Sequence, residues 1–419
     1  MRTAWKHPNR WLITVISCIM NLCLGVNYAW SVLAGPLAER LNEVNGFTGA
    51  AMLNAGSLSL VFSITNAILP IPMIVAGAVN DRRGPKAIVL VGGAFFGLGT
   101  LLTGRVNSVG AMILVYSIIA GIGNSLVYAC TVNNTVKFFP DKKGLIGGLT
   151  TACYGIGSII YAPITRGMID AVGVSKTLEI FGIILVAVIC IGSFFLAKCP
   201  QTAAAAGSGN AAPAAKGAAA DVSWKEMLRH PIFYVLLLLL ACGSLMGMLI
   251  ISQASSVAQE MVGTSVAAAT AVVSLIAVFN TFGRLACGYV SDKIGRINVI
   301  TIAIVIALTG LILAYFSAGG STALFAVGAC MVGLCFGCFM GVYPSFTADH
   351  FGIRNNTLNY GVMFLGNSIG AIVGPSLMTG IHKSAGTYQP AFLAAAALAV
   401  AGLALTLIYR HMARMGKTV

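Results

Sequence analysis

The sequence predicts an all-α membrane protein, with twelve transmembrane helices arranged as two pseudo-symmetric six-helix bundles. Three observations carry this. Of 419 residues, 58% are hydrophobic and only 9% are charged, with a mean hydropathy of +0.91, a balance foreign to soluble chains of this length. Apolar runs of about 20 residues recur, each closed by Gly, Pro or a charge cluster, as membrane spans are. One loop pattern also occurs twice, 211 residues apart. A membrane β-barrel needs short alternating segments, which are absent.

The spans fall at 11–34, 49–79, 86–106, 109–137, 145–169, 177–197, 231–258, 265–290, 298–317, 321–347, 358–380 and 390–410. The first lacks a small-residue cleavage pattern and runs on into Gly25-Val26-Asn27-Tyr28-Ala29-Trp30. It therefore reads as a span, not a cleaved signal. The eleven cysteines lie mostly inside spans, without pairing pattern or metal spacing. They read as small core residues, and neither a metal nor a cofactor is expected.

Charge sets the expected topology. With an even number of spans both termini share one side. Outside the membrane, 19 Lys and Arg residues fall on that side, against 5 (Arg40, Arg105, Arg166, Lys176, Lys383) on the other. The bias makes the first side cytoplasmic. The formal charge of +14 is thus a topology signal, not a nucleic-acid footprint.

Between the halves, residues 199–223 are rich in Ala and Gly, with no apolar stripe to bury. They read as a flexible connection, followed by a short surface helix within Trp224 to His230. The expected division is a bundle at 1–198, a cytoplasmic linker at 199–230 and a second bundle at 231–419.

The repeated loop is Gly77-Ala-Val-Asn-Asp81-Arg82-Arg-Gly84 after span 2 and Gly288-Tyr-Val-Ser-Asp292-Lys293-Ile-Gly295 after span 8. Glycines allow a tight reversal and close helix approach. An Asp can accept hydrogen bonds at a helix N-terminus. Asp81, Arg82, Asp292 and Lys293 are candidates for a gate latch; the alternative is a strong turn and nothing more. A duplicated element of this kind suggests two bundles around a central path.

Within span 8 one charge stands alone. Arg284 is the sole charged residue between Ser265 and Tyr289. It precedes Asp292 by eight residues, which at helical rise is about 12 Å above the loop. A guanidinium at that depth needs a cavity or a partner. Its repeat counterpart is Met73, so it is not a symmetric packing device. It is either half of a structural ion pair or an anion site, and a guanidinium fork suits a planar carboxylate. Asn280 is one turn earlier on the same face, able to orient Arg284, contact a ligand or bond a neighbouring helix.

These signals resemble the major facilitator superfamily, over nearly the whole chain outside the linker. Within it they resemble the oxalate/formate antiporter family, related to the monocarboxylate transporters. The motifs are Gly25 to Trp30 in span 1, Phe138-Phe-Pro-Asp-Lys-Lys-Gly144 after span 4, Gly283-Arg284 with Ser291-Asp-Lys-Ile-Gly-Arg296, and Asn359-Tyr360-Gly361 opening span 11. The resemblance implies the major facilitator fold and assigns the substrate carboxylate to Arg284. It implies a polar and aromatic cavity lined by Asn27, Tyr28, Tyr128 and Tyr154; Asn124, one turn before Tyr128, is a further candidate by its place on the helix. In the family's oxalate carrier a lysine follows the Tyr-Gly pair by six residues; here that register holds Asn367. Phe364 stands at a tryptophan position, Phe336 at an aromatic one, and Met340 where the resemblance places a tyrosine.

One cation balances one carboxylate, and a dianion would be poorly neutralised in low dielectric. The expected cargo is therefore a small monocarboxylate, L-lactate or pyruvate, with formate a further member of the class. None of the eleven acidic residues and none of the five histidines falls at mid-span, so no dedicated proton relay is visible. Proton symport, with the substrate's carboxylate or tyrosines and water carrying the proton, is expected ahead of anion exchange. A nucleophile with a base, the mark of an enzyme, is absent. The expected setting is a bacterial inner membrane, with a functional monomer and both termini cytoplasmic.

Overall fold

A computed structural model describes residues 9–200 and 221–415. Its helices are α1 Arg10–Asn45, α2 Gly56–Arg83, α3 Lys86–Thr103, α4 Val109–Lys137, α7 Pro231–Met261, α8 Val266–Ile294, α9 Arg296–Phe316, α10 Thr322–Phe351, α11 Asn356–Ala385 and α12 Gln389–Arg414, with α5 and α6 sharing the continuous stretch Lys143–Ser193. That stretch has 51 residues, far more than one crossing requires. It breaks at Gly173 (φ 80°, ψ 162°), a conformation a side chain would oppose. We therefore take α5 as 143–172 and α6 as 174–193. The eleven membrane-length stretches of the described residues thus hold twelve spans, as the hydropathy implies.

Several helices outrun their apolar cores. The first span was expected to end near residue 34, yet α1 continues to Asn45 and stops at left-handed Gly46 (φ 64°). Loss of hydropathy marks the lipid boundary, not the end of hydrogen bonding. The short helix after the linker is Trp224–Met227, opened by a reciprocal capping box between Ser223 and Glu226. The core of the linker, 201–220, lies outside the described residues.

Small residues let the helices of each half close on one another. Gly25 of α1 abuts Gly157 of α5, and Gly97 of α3 abuts α6 at Gly182 and Val186. In the second half Gly310 of α9 meets Gly328 of α10, and Gly370 of α11 meets Ser244 and Leu245 of α7. Such backbone approach is what packs helices where lipid supplies no hydrophobic drive. The helix α1 also changes winding: Gly25–Ala29 is a 3-10 turn, which carries Asn27 and Tyr28.

The two halves meet along α5 and α8. Gly144 and Gly148 of α5 lie against Gly288 and the Arg284 carbonyl of α8. Beyond Gly155 the outer parts of both helices lose this contact; Ile159, Ile160 and Ile164 on α5 and Leu275, Val278 and Phe279 on α8 are exposed. The seam is therefore closed toward the 4–5 and 8–9 loops.

Candidate functional site

Arg284 is 2% exposed, although it sits in the middle of an apolar helix. Its Nε donates to Asn280 Oδ1 (2.9 Å), one Nη to the Thr151 main-chain carbonyl (3.0 Å) and the other to Tyr28 Oη (3.3 Å). The guanidinium also stands 6.0 Å from the Tyr154 ring centre. All these partners are neutral. Among the described residues no ion pair reaches Arg284. The structural ion pair that the sequence left open is thus not formed, and the buried charge stands uncompensated. A charge solvated only by dipoles in low dielectric favours an anion beside it.

The polar residues of α1, α4 and α5 converge on Tyr154. Asn27 Nδ2 and Asn124 Nδ2 both donate to Tyr154 Oη, at 3.4 and 3.2 Å. Tyr116 Oη donates to Asn27 Oδ1 at 3.1 Å. With two amides donating to it, the Tyr154 hydroxyl keeps its own proton for another acceptor. The Tyr154 ring meets Tyr28 and Tyr128 edge-on, at 5.2 and 5.5 Å between centroids. Tyr128 lies 6.0 Å from Phe364 of α11. Both halves therefore line one aromatic wall around one cation, a shape that excludes water while leaving oriented donors.

Three further candidates lie on α10 and α11. Asn367 Oδ1 accepts from Ser244 Oγ at 3.0 Å, between α11 and α7. Phe336 packs on Gly247 of α7. Met340 is buried on α10. Asn367 and Phe336 join helices of the second half, whereas Arg284, Asn280, Asn27, Tyr28, Asn124, Tyr128, Tyr154 and Phe364 form the cluster. Sequence reading passed over Tyr116, Thr151 and Tyr360. Tyr360 lay in the quoted Asn359-Tyr360-Gly361 triplet. Thr151 acts through its carbonyl, for which a side chain gives no sign.

The duplicated loops meet the opposite half. Asp81 Oδ2 accepts from Leu358 N (3.1 Å) at the start of α11, while Asp292 accepts from Gly144 N (2.9 Å) and Leu145 N (2.8 Å) at the start of α5. Each aspartate thus caps a helix across the seam, where the helix dipole favours it. Their side-chain cations are Lys137 for Asp81 and Arg296 for Asp292. Arg82 and Lys293, the adjacent candidates, are not brought into the latch. Both are exposed; the Arg82 carbonyl accepts from Lys198, and Lys293 lies over the Tyr289 ring. The reason is helical phase: a residue next to the capping aspartate points about 100° away from it. Two side-chain hydrogen bonds complete the closure, from the Asn80 amide to the Thr357 hydroxyl (2.7 Å) and from the Asn356 amide to Asn133 Oδ1 (3.0 Å).

The comparisons agree with this geometry. The profile described as Major Facilitator Superfamily matches residues 10–356 and 254–417. The chain belongs to the major facilitator superfamily. Its members are transporters, not enzymes. The chain is 31% identical to the uncharacterized MFS-type transporter YhjX of Escherichia coli (strain K12), over 87% of this chain and 86% of that one. It is 29% identical to the oxalate:formate antiporter of Oxalobacter formigenes, over 98% and 93% of the two chains. The solved proton:xylose symporter XylE superposes with a TM-score of 0.72 at 13% identity, covering 96% of this chain and 95% of that one. The fold is that of a major facilitator transporter, whose halves rock about a central path.

Proposed function

We propose that this transporter carries a small monocarboxylate, of the L-lactate or pyruvate class, by alternating access. Arg284 is the carboxylate anchor, and the single observation behind this is a 2%-exposed guanidinium with only neutral partners. Tyr154 adds an O–H and Tyr28 shares the guanidinium. Oxalate is disfavoured because the site offers one cation and Asn367, at the position of the family's lysine, is neutral.

Proton symport is the coupling we favour. Three neutral acceptors hold the empty arginine, so the unloaded carrier has a means of returning without an anion aboard. Among the described residues the acidic groups and histidines sit toward helix ends, exemplified by Arg105 with Glu179 and Glu260 with His382; a proton then travels with the substrate carboxylate or through the tyrosines. One observation favours a second reading, anion exchange: Arg284 remains an uncompensated charge, and the oxalate:formate antiporter is a relative. In our reading the face of the 2–3, 4–5, 8–9 and 10–11 loops is cytoplasmic, and the aspartate latches close it. The transporter works as a monomer of two bundles, 1–198 and 231–419, in a bacterial inner membrane.

The test is L-lactate uptake into anion-free proteoliposomes, with an inward proton gradient and zero membrane potential. Accumulation that collapses with the gradient and is lost in Arg284→Gln supports the proposal. Uptake only after preloading with an anion selects exchange. No uptake under either condition overturns the carboxylate reading.

A further inference from the structure

Tyr360 carries a polar atom that the cluster leaves unused. It is fully buried on α11, and among the described residues its hydroxyl makes no hydrogen bond of normal geometry, with the Tyr128 hydroxyl as a polar neighbour. Its ring packs 5.4 Å from Phe364, the residue that closes the aromatic wall on Tyr128. Its hydroxyl neighbours the Tyr128 hydroxyl, and both lie within Coulomb reach of Arg284. A buried hydroxyl without a partner is costly, and such a group in a binding region points to a partner that arrives. Two other unpartnered atoms lie near the arginine, Asn124 Oδ1, which can only accept, and Thr281 Oγ1 on the helix of Arg284 itself; those of Asn80 and Asn356 lie in the closed loop face.

We propose that Tyr360, side by side with Tyr128, binds the oxygen on carbon 2 of a 2-oxo or 2-hydroxy monocarboxylate whose carboxylate rests on Arg284. This rests on Arg284 binding a carboxylate. Carbon 2 adjoins the carboxylate, so its oxygen needs a contact close to the arginine but separate from it. A phenol donates to a keto oxygen and both donates to and accepts from a hydroxyl, so one pair serves both oxidation states. Acids with no oxygen on carbon 2 leave the phenols as they are in the empty protein. The contact has a mechanical consequence: Tyr360 follows Leu358 by two residues, and the Leu358 amide is held by Asp81. A ligand on Tyr360 pulls on the first turn of α11, which the latch also holds.

The experiment measures inhibition of labelled L-lactate uptake by lactate, pyruvate and propionate, in the wild-type protein and in Tyr360→Phe. In the wild type, lactate and pyruvate bind about tenfold more tightly than propionate, one buried hydrogen bond's worth. In Tyr360→Phe that advantage disappears, propionate is unchanged, and the ligand-free protein melts at a higher temperature because an unpartnered hydroxyl is gone. A side chain with a merely structural role would lower the melting temperature and weaken all three acids alike, which overturns the assignment. Equal wild-type binding of propionate and lactate overturns it too, and needs no variant, while leaving the carboxylate reading intact. If none of the three acids binds the wild type, the carboxylate reading itself falls.

Discussion

Arg284 of the second half donates a hydrogen bond to the main-chain carbonyl of Thr151 in the first half, at 3.0 Å. The same turn of α5 presents Gly148, whose missing side chain lets the Arg284 carbonyl approach. The arginine is thus clasped by α5 at its root and at its tip. A ligand that recruits the guanidinium competes with a contact holding the halves together. In the proposed cycle, binding and rocking are coupled through one residue, because Arg284 and Thr151 belong to opposite halves.

The glycines around Arg284 separate conformation from stability. A Cβ at Gly148 would overlap the Arg284 carbonyl across the seam, whereas one at Gly337 would overlap the Asn280 carbonyl inside the second half. Gly148→Ala therefore disfavours the closed seam and leaves each half intact. Gly337→Ala strains α8 against α10 in every state and costs about 1–3 kcal/mol. Thermal unfolding checks this: the melting temperature falls clearly for Gly337→Ala and little for Gly148→Ala, while labelling of cysteines on the loop face rises only for Gly148→Ala. Equal losses of stability would contradict the distinction.

Asn280→Asp replaces a neutral acceptor, 2.9 Å from Nε, with a tethered carboxylate. The internal anion neutralises Arg284 and displaces the substrate's. We expect uptake to fall on the order of a hundredfold, equivalent to about 2.7 kcal/mol, with no loss of thermal stability. Asn280→Ala, which removes the orienting bond but adds no charge, falls by about tenfold. Initial rates in proteoliposomes over a range of substrate concentrations measure both. A smaller loss for the aspartate than for the alanine would count against the anion site.

The two latches are unequal. Lys137 and Asp81 are both at least nine-tenths buried, so Asp81→Asn strands an ammonium, a change that costs about 3–5 kcal/mol. Asp292→Asn strands less, because Arg296 also holds Asp349 at 2.8 Å. Spin labels at the exposed positions Lys86 and Lys293, one in each half, report the closure. Their distance distribution lengthens in Asp81→Asn and shifts less in Asp292→Asn. The reverse order would show that the seam depends on the α5 cap.

The latch also marks where sequence reading reached its limit. Asp81 and Asp292 were legible because their pattern repeats and aspartate suits a helix start. Arg82 and Lys293 were adjacent in the chain and so were grouped with them, but helical phase turns them outward. Their places are taken by Arg296, four residues after Asp292 in the quoted motif, and by Lys137, which no local pattern ties to Asp81. Asn27 and Tyr28 were identified from their motif, yet their joint reach to Tyr154 and Arg284 depends on the 3-10 turn at Gly25–Ala29, which hydropathy does not register.

Hydropathy, the lone charge and the repeated loop determined that the chain spans a membrane with twelve helices and keeps a cation within it. These are local properties: lipid sorts residues by transfer free energy, and burial of a charge is costly wherever it occurs. Tertiary structure alone decided that Arg284 has no acidic partner among the described residues, that Thr151 serves through its backbone, that Asn367 pairs with Ser244, and that the Tyr360 hydroxyl makes no hydrogen bond of normal geometry within them. Each depends on the rotation and depth at which two helices meet. That geometry is set by the glycines of both helices together, and neither helix's sequence encodes it alone.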